Sequence, residues 1–251
     1  MKFDSEHAVP LGSPLYRQVK QAVLAALSDG EWKQGDAIPP EKILAERFGV
    51  SIGTLRKAID ELVAENILIR HQGRGTFVAV HNRNRHFFRF FRVLRQDGYK
   101  SYPTTELLRF RKVRASPLVR DRLGLDTGAH VFEFVNRLSL NGDVVMVDDI
   151  SLPEALFEGM TEKHLRDRPS TLYNLYQDVF GLNVIATDER VRACAAEAAY
   201  AKWLGVAPGS PLLEIRRLAY SFHGQPVEWR VSRINTASYE YVGQEPAADG
   251  A

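Results

Sequence analysis

Residues 40–78 read PEKILAERFGVSIGTLRKAIDELVAENILIRHQGRGTFV, and this stretch decides the fold of the N-terminal part of the chain. Apolar residues recur at helical spacing on both sides of one glycine, Gly49. Glycine readily adopts the left-handed backbone that a tight turn between two helices needs. We therefore predict a short helix over residues 41–48, a turn at Gly49 and a longer helix that opens at Ser51.

Another helix is predicted ahead of this stretch, over residues 14–29. Ser13 and Pro14 supply a capping hydroxyl and a proline at the first helical position, and apolar residues follow at helical spacing. This first helix should pack on the two that follow. The residues expected in this core are Leu15, Val19, Val23 and Leu27 of the first helix and Ile43, Leu44 and Phe48 of the second.

The longer helix has an apolar stripe, formed by Leu55, Ile59, Leu62 and Val63. In a helix-turn-helix, the N-terminal residues of such a helix meet DNA base edges, while hydroxyls and backbone N–H groups hold phosphates. A glycine in that position permits close approach of DNA. An ordinary amphipathic helix with a solvated polar face would show the same periodicity. The residues predicted to face outward are Ser51, Gly53, Thr54, Arg56 and Lys57.

A β-hairpin over residues 68–71 and 76–80 should follow the longer helix, because both runs are rich in β-forming residues. Its tip holds an arginine between two glycines, which suits the placing of a cation in a narrow groove. This hairpin makes a winged helix-turn-helix the favoured interpretation of residues 1–80. The tip residues predicted to bind DNA are Gln72, Gly73, Arg74 and Gly75.

The formal net charge of +2 is distributed unevenly along the 251 residues. Residues 1–80 hold ten basic and ten acidic side chains, whereas residues 81–96 hold five arginines and no acid. A DNA-binding domain without net charge must place its cations locally. Aromatic side chains interleave with the arginines of 81–97, as in some single-strand binders. An interdomain linker, with its phenylalanines anchored on the second domain, is the favoured interpretation.

Composition and length limit the class of protein. With 45% hydrophobic and 25% charged residues, an ordinary globular chain of this length should form two domains. Cys194 is the single cysteine, which excludes an internal disulfide and favours a reducing compartment; we expect it to be a buried small residue. We see neither a signal peptide nor a membrane span, so we expect a cytoplasmic protein that binds no membrane.

From about residue 105 the pattern becomes α+β, with a mainly antiparallel sheet. The dipeptide Asn141-Gly142 indicates a tight hairpin turn. We find no phosphate loop, dinucleotide fingerprint, metal-ligand cluster or nucleophile motif, and we therefore predict no catalytic residues, no metal and no cofactor. Strands are predicted over 106–114, 131–140, 144–152, 183–193, 212–222 and 226–234, and helices over 117–123, 171–180 and 195–204.

The N-terminal residues resemble the GntR family of bacterial transcription regulators. The segments that carry the resemblance are PLYRQV at 14–19, IPPEKILAERFGVSIGTLRKAIDEL at 38–62 and RHQGRGTFV at 70–78. Two positions depart from the family pattern. Lys42 replaces an arginine and loses its bidentate fork, and Ile52 stands where many members have an arginine that contacts guanine. The resemblance implies that Lys42 joins the DNA-binding residues and that base contacts shift toward Ser51, Thr54 and Arg56, with help from Lys57.

Residues 98–251 resemble the UTRA ligand-binding domain of HutC-type GntR regulators, which has a chorismate lyase-like fold. The matching segments are RLSLNGDVVMVDDISLP at 137–153, STLYNLYQDVFGL at 170–182, LGVAPGSPLLEIRRLAY at 204–220 and HGQPVEWRVSRINTASYEY at 223–241. The resemblance implies a small-molecule effector. The positions it assigns to effector binding are Arg137, Asp148, Thr171, Tyr173, Glu228 and Tyr239, with Asp149 as the alternative to Asp148.

The chemistry of these positions leaves alternatives open. Ser139 replaces the second of two family arginines, so a monoanionic carboxylate or a less charged metabolite is favoured over a dianionic phosphosugar as the effector. A salt bridge on a strand surface would explain Arg137 and Glu228 equally well.

Three classes of function fit. The leading prediction is a metabolite-responsive repressor that binds double-stranded operator DNA as a homodimer. A chorismate-lyase-like enzyme and a constitutive DNA binder are the alternatives.

Overall fold

A computed structural model describes residues 14–33, 35–64, 67–79, 91–97 and 102–243. The chain divides into two compact units, residues 1–80 and residues 81–251. Within the described ranges, no helix is both long enough and apolar enough to cross a membrane.

The first unit contains three helices followed by a two-stranded antiparallel hairpin, as predicted. Its core consists of side chains with essentially no exposed surface, among them Val23, Leu44, Leu55, Ile59 and Leu62. The elements are α1 (Leu15–Ser28), α2 (Glu41–Phe48), α3 (Ile52–Ala64), β1 (Leu68–His71) and β2 (Gly75–Val78).

Two residues predicted to be buried in this unit are exposed instead. Leu15 is 60% exposed because it is the first residue of α1 and lies ahead of the turns that pack on α3. Ile43 is 54% exposed, since α2 turns Leu44 and Ala45 toward the core. At about 100° per residue, a helix of eight residues buries only a narrow stripe.

The second unit is α+β, as predicted. Six antiparallel strands form one sheet in the order β4-β5-β6-β9-β8-β7, and a two-stranded sheet pairs β3 with β10. The strands are β3 (Val93–Arg95), β4 (Thr104–Arg114), β5 (His130–Leu140), β6 (Asp143–Pro153), β7 (Ala186–Ala195), β8 (Pro211–Tyr220), β9 (Pro226–Ile234) and β10 (Tyr239–Tyr241). The helices are α4 (Pro117–Leu123), α5 (Glu162–Arg166), α6 (Leu172–Phe180) and α7 (Ala198–Leu204).

Each face of the six-stranded sheet packs against its own helices, because alternate residues of a strand point to opposite sides. On one side, Phe134 and Ile150 pack in a cluster with Tyr176 of α6. We call this side the α6 face. On the other side, Val135 and Val147 pack with α7, and Val131 and Trp229 pack with α4. We call this side the α7 face.

Several features of the second unit differ from the predictions. β3 lies inside the predicted linker 81–97, where it pairs with β10, and partly buried Phe91 packs beside it. Residues 81–90, which carry the other phenylalanines, lie outside the described ranges. Cys194 is only partly buried, since it lies on edge strand β7. Strands β3 and β10 and helix α5 were not predicted; each is five residues or shorter, too short to show a period.

Candidate DNA-binding and effector sites

The N-terminus of α3 is organised by Ser51. Its Oγ accepts a hydrogen bond from the backbone N of Thr54 at 3.1 Å, which caps the helix, and the two hydroxyls lie 2.9 Å apart. Ser51 is exposed and Thr54 is partly buried. This end of α3 therefore presents two hydroxyls at a helix N-terminus, the arrangement that holds phosphate oxygens.

The fold does not require a glycine at position 53. A Cβ atom built there would meet only Ser51 Oγ, at 3.9 Å, and the backbone is not in the left-handed region. Glycine lowers helix stability relative to alanine. No contact among the described residues requires glycine at this position, so the exposed Gly53 is consistent with a surface that another molecule approaches closely.

An ion-pair network holds Arg56, the exposed arginine of α3. Its Nε and Nη2 donate to Glu41 Oε2 at 3.0 and 2.9 Å, and its side chain is 59% exposed. Arg70 of β1 donates to the other oxygen, Oε1, at 2.9 Å and also pairs with Asp60. One carboxylate at the start of α2 thus orients cations from α3 and β1.

The remaining predicted DNA-binding residues lie at the surface of the first unit. Lys57 Nζ stands 4.1 Å from the ring centroid of Tyr16, a cation–π contact, and Lys42 is exposed. Ile52 is also exposed at the start of α3, where it offers no hydrogen bond to a base.

The wing tip has the backbone that its sequence predicts. Gly73 and Gly75 have φ angles of +70° and +107°, which other residues rarely adopt. Arg74 N donates to His71 O at 2.9 Å and closes the turn, which leaves the side chains of Gln72 and Arg74 exposed.

A buried ionic network occupies the α6 face of the second unit. Glu228 has no exposed surface, and it accepts hydrogen bonds from Tyr173 OH at 3.1 Å and Tyr176 OH at 2.6 Å. Arg230 bridges the two acids, at 2.8 Å to Glu228 and 3.3 Å to Asp148. We call this group, completed by Ser232 with its Oγ 2.5 Å from Asp148 Oδ1, the Glu228 cluster.

The two acids of the Glu228 cluster differ in electrostatics. Burial disfavours the charge of Glu228, but Arg230 and the Tyr176 hydroxyl outweigh it and lower its pKa. Burial dominates at Asp148 and raises its pKa, although Arg230 and Ser232 oppose the shift. Burial and the Glu228 charge raise the pKa of Tyr173 to about 12. The cluster therefore holds one firmly ionised carboxylate and one that takes up a proton more readily.

A second layer of charge adjoins this cluster. Arg217 lies opposite Arg230 in the strand register, and its Nε donates to Glu189 at 2.5 Å. Tyr241 also donates to Glu189, at 2.5 Å. Asn136 lies opposite Asp148, and its buried Oδ1 accepts no hydrogen bond from any residue in the described ranges.

The structure brings together Asp148, Tyr173 and Glu228, three of the six residues assigned by resemblance. Thr171 caps α6, where its Oγ1 accepts from Asn174 N at 3.2 Å. Tyr239 lies elsewhere, with its hydroxyl 3.3 Å from Leu140 O at the end of the β5–β6 hairpin.

Arg137 lies on the opposite face of the sheet from the Glu228 cluster. It follows Asn136 in β5, so it points to the α7 face, where its Nε donates to Glu106 at 3.0 Å. The alternative residue, Asp149, is also on that face and bonds Tyr200 OH at 2.7 Å. The resemblance of segments could not reveal the strand pairing that separates these residues.

The sequence reasoning missed the arginines that neutralise the cluster, Arg217 and Arg230. A usable pattern was present, because Glu228, Arg230 and Ser232 alternate along β9 with Val227, Trp229 and Val231. Polar residues at every second position of a buried strand indicate a polar site on one face.

Among the described residues, no group of three or more His, Cys, Asp or Glu side chains is arranged to hold a metal ion.

Comparisons with known families agree with this architecture. Residues 15–78 match the model of the gntR family of bacterial regulatory proteins. Residues 98–240, more than half of the chain, match the UTRA domain.

Similar proteins are transcription regulators. The probable fructoselysine utilization operon transcriptional repressor of Escherichia coli is 28% identical over 85% of this chain and 87% of its own length. The mannosyl-D-glycerate transport/metabolism system repressor MngR of the same species is 26% identical over 91% and 95%. A ligand-binding domain of a GntR-family regulator from Bordetella bronchiseptica is 31% identical, with a TM-score of 0.59 over 62% of this chain and 98% of its own.

These matches confirm a regulator and exclude the chorismate-lyase-like enzyme as its function. The chain belongs to the GntR family of transcription regulators and combines its winged-helix DNA-binding domain with a C-terminal UTRA effector-binding domain.

Proposed function

We propose that this repressor binds its operator as a cytoplasmic homodimer, through the N-terminus of α3 and the wing, and responds to a small hydroxyl- or amine-bearing effector in the Glu228 cluster. The observation that carries the effector proposal is the fully buried Glu228 with its tyrosine and arginine partners.

For the DNA-binding unit, we assign each DNA contact from the hydrogen-bonding groups and the charge of its side chain. Arg56 exchanges Glu41 for a guanine edge, while Ser51 and Thr54 contact bases or phosphates. Gly53 allows close approach of the DNA. The other phosphate or groove contacts are assigned to Lys42, Lys57, Gln72, Gly73, Arg74 and Gly75.

For the effector, the cluster favours a ligand that donates hydrogen bonds. Arg217 and Arg230 are already paired with carboxylates, whereas the buried Oδ1 of Asn136 accepts no hydrogen bond from any described residue and is available to a donor. The expectation of a carboxylate effector depended on Arg137, which is paired with Glu106 on the other face. The names of the two E. coli relatives refer to sugar derivatives, which supports a sugar-derived effector for this chain.

The effector site can be tested with three variants. An operator is first selected from random DNA. Fluorescence anisotropy of this labelled operator would then report release of the protein from the DNA by each member of a panel of amino sugars, polyols and monocarboxylates. We expect Tyr173→Phe and Glu228→Gln to weaken or abolish the response, and Arg137→Gln to retain it. Breaking the buried pair in Glu228→Gln should also destabilise the second unit by on the order of 3–5 kcal/mol, so Tyr173→Phe is the milder variant.

Thermal unfolding and operator affinity without effector serve as controls for folding. A response lost in Arg137→Gln and kept in Tyr173→Phe would move the site to the α7 face. A response only to monocarboxylates would contradict the proposed ligand class.

A further inference from the structure

A cavity of about 190 Å³ lies on the α7 face, across the sheet from the Glu228 cluster. Strands β7, β8 and β9 form its floor, and Arg122 of α4 lines it next to Trp229. Four of its side chains are arginines, and none of them belongs to the predicted DNA-binding or effector-binding residues. We call it the arginine pocket; its polar lining is Arg122, Asp188, Arg190, Arg192 and Arg216.

The strand register concentrates positive charge in this pocket. Arg190 of β7 and Arg216 of β8 lie directly opposite each other. Like charges in opposite positions of neighbouring strands destabilise a sheet. A bound anion would offset the repulsion between these two arginines.

Carboxylates of the protein neutralise only part of this charge. Glu214, with 3% of its side chain exposed, accepts the Nε hydrogens of both Arg192 and Arg216 at 2.7 Å. Counting this acid and Asp188, two acids face four arginines. Both arginines use their Nε on Glu214, and no other described residue bonds their terminal nitrogens.

The other two arginines of the pocket, Arg122 and Arg190, have N–H donors available to a ligand. Arg122 Nε is buried and has no acceptor in the part of the chain that the structure describes. The guanidinium of Arg122 lies 5.3 Å from the Trp229 ring centroid, which fixes it against an aromatic wall. Arg190 is exposed and forms no ion pair with any described residue.

We propose that the arginine pocket binds a small organic anion whose phosphate or carboxylate group is held by the arginines and whose flat apolar part packs beside Trp229. Arginine forks match both groups in bidentate geometry. The volume is below the roughly 300 Å³ at which pockets for drug-sized ligands begin, so the ligand is a compact one. This site is separate from the effector site, and its test does not depend on the effector's identity.

Isothermal titration calorimetry on the full-length protein tests this site with two probes. Phenyl phosphate carries the phosphate, phthalate carries two carboxylates, and benzyl alcohol is the uncharged reference. We expect saturable binding of at least one anion, weaker at high salt, and no binding of the alcohol. Binding of phenyl phosphate alone would indicate a phosphate ligand, and binding of phthalate alone would indicate a carboxylate ligand.

Matched variants connect the binding to the pocket. We expect the double variant Arg190→Gln, Arg192→Gln to bind the anion at least about tenfold more weakly. Each of the two substitutions removes a charge-assisted hydrogen bond to the anion. Both side chains are exposed, and circular dichroism would check that the sheet is retained. Arg166→Gln, an exposed arginine of α5 on the α6 face, should bind as wild type does.

Three results would overturn the proposal. The first is that neither anion binds saturably. The second is that the double variant binds the anion with unchanged affinity. The third is that binding persists in the double variant but is lost in Tyr173→Phe. The last would place the anion in the Glu228 cluster.

Discussion

At the scale of single residues, Gly53 is a position where we propose that the residue serves DNA binding rather than stability. Its surroundings would accept a methyl group, yet the chain has none there. Its neighbour Ile52 is an exposed apolar residue, at a position where the GntR family pattern has an arginine in many members. We therefore propose that base recognition depends on short side chains and on Arg56, the arginine that Glu41 orients.

We expect Gly53→Ala to separate stability from DNA binding. The added methyl group raises helix propensity, so the free energy of unfolding should increase by a few tenths to about 1 kcal/mol. Operator affinity should fall, because the Cβ enters space that DNA occupies. Thermal unfolding and anisotropy measure the two effects.

Gln21→Ala on the exposed side of α1 is the control for this variant. It also raises helix propensity, but it should leave operator affinity unchanged. If Gly53→Ala bound the operator as well as wild type, the surface at this glycine would not approach DNA.

At the scale of elements, the Glu41 carboxylate connects α2 to α3 and β1 through ion pairs. Glu41 at the start of α2 pairs with Arg56 of α3 and Arg70 of β1. If Arg56 contacts DNA as we propose, the acid competes with DNA for this cation. Exposed ion pairs contribute little to stability, typically about 0–1 kcal/mol. The network should therefore matter more for specificity than for folding.

We expect opposite effects from the two ends of this ion pair. Arg56→Ala should weaken operator binding by roughly 1–3 kcal/mol if the arginine contacts a base. Glu41→Gln frees two cations and should strengthen binding to unrelated DNA, which narrows the ratio of specific to non-specific affinity. Anisotropy at fixed salt with operator and scrambled duplexes measures both.

Glu31→Gln removes a comparable exposed acid, the partner of Arg47, and should change neither affinity. Equal operator affinity for wild type and Arg56→Ala would remove Arg56 from the base-contacting residues.

The elements also show what sequence patterns could and could not predict. Helix α2 and helix α4 have the predicted bounds, because periodicity and glycine stops such as Gly49 and Gly124 are local. The β5–β6 hairpin followed from Asn141-Gly142 for the same reason. The grouping of the effector residues was not local: the register decides which side chains share a face, and it separates Arg137 from Asp148.

At the scale of the whole molecule, two compact units divide the work between DNA and effector. The DNA-binding unit is small, and its exposed recognition residues are few. A single unit of this kind contacts one half-site, and a second copy doubles the contacts. We therefore expect the active species to be a homodimer on a near-palindromic operator.

Light scattering coupled to size exclusion should give about twice the 28.3 kDa mass of the chain. Footprinting should show two half-sites with centres about 10 base pairs apart, or a multiple of that spacing. Arg56→Ala should remain dimeric while it loses affinity, which separates assembly from recognition. A monomer at the concentrations that bind operator would contradict the homodimer.

The six-stranded sheet is open, with β4 and β7 as its two edges. Open edges offer unpaired backbone groups to other chains and invite aggregation. Both edges here carry exposed basic side chains, which should disfavour edge-to-edge pairing of two copies. High salt screens these charges and removes the protection. The guarding residues are Arg109, Arg111, Lys112 and Arg114 on β4 and Arg190 and Arg192 on β7.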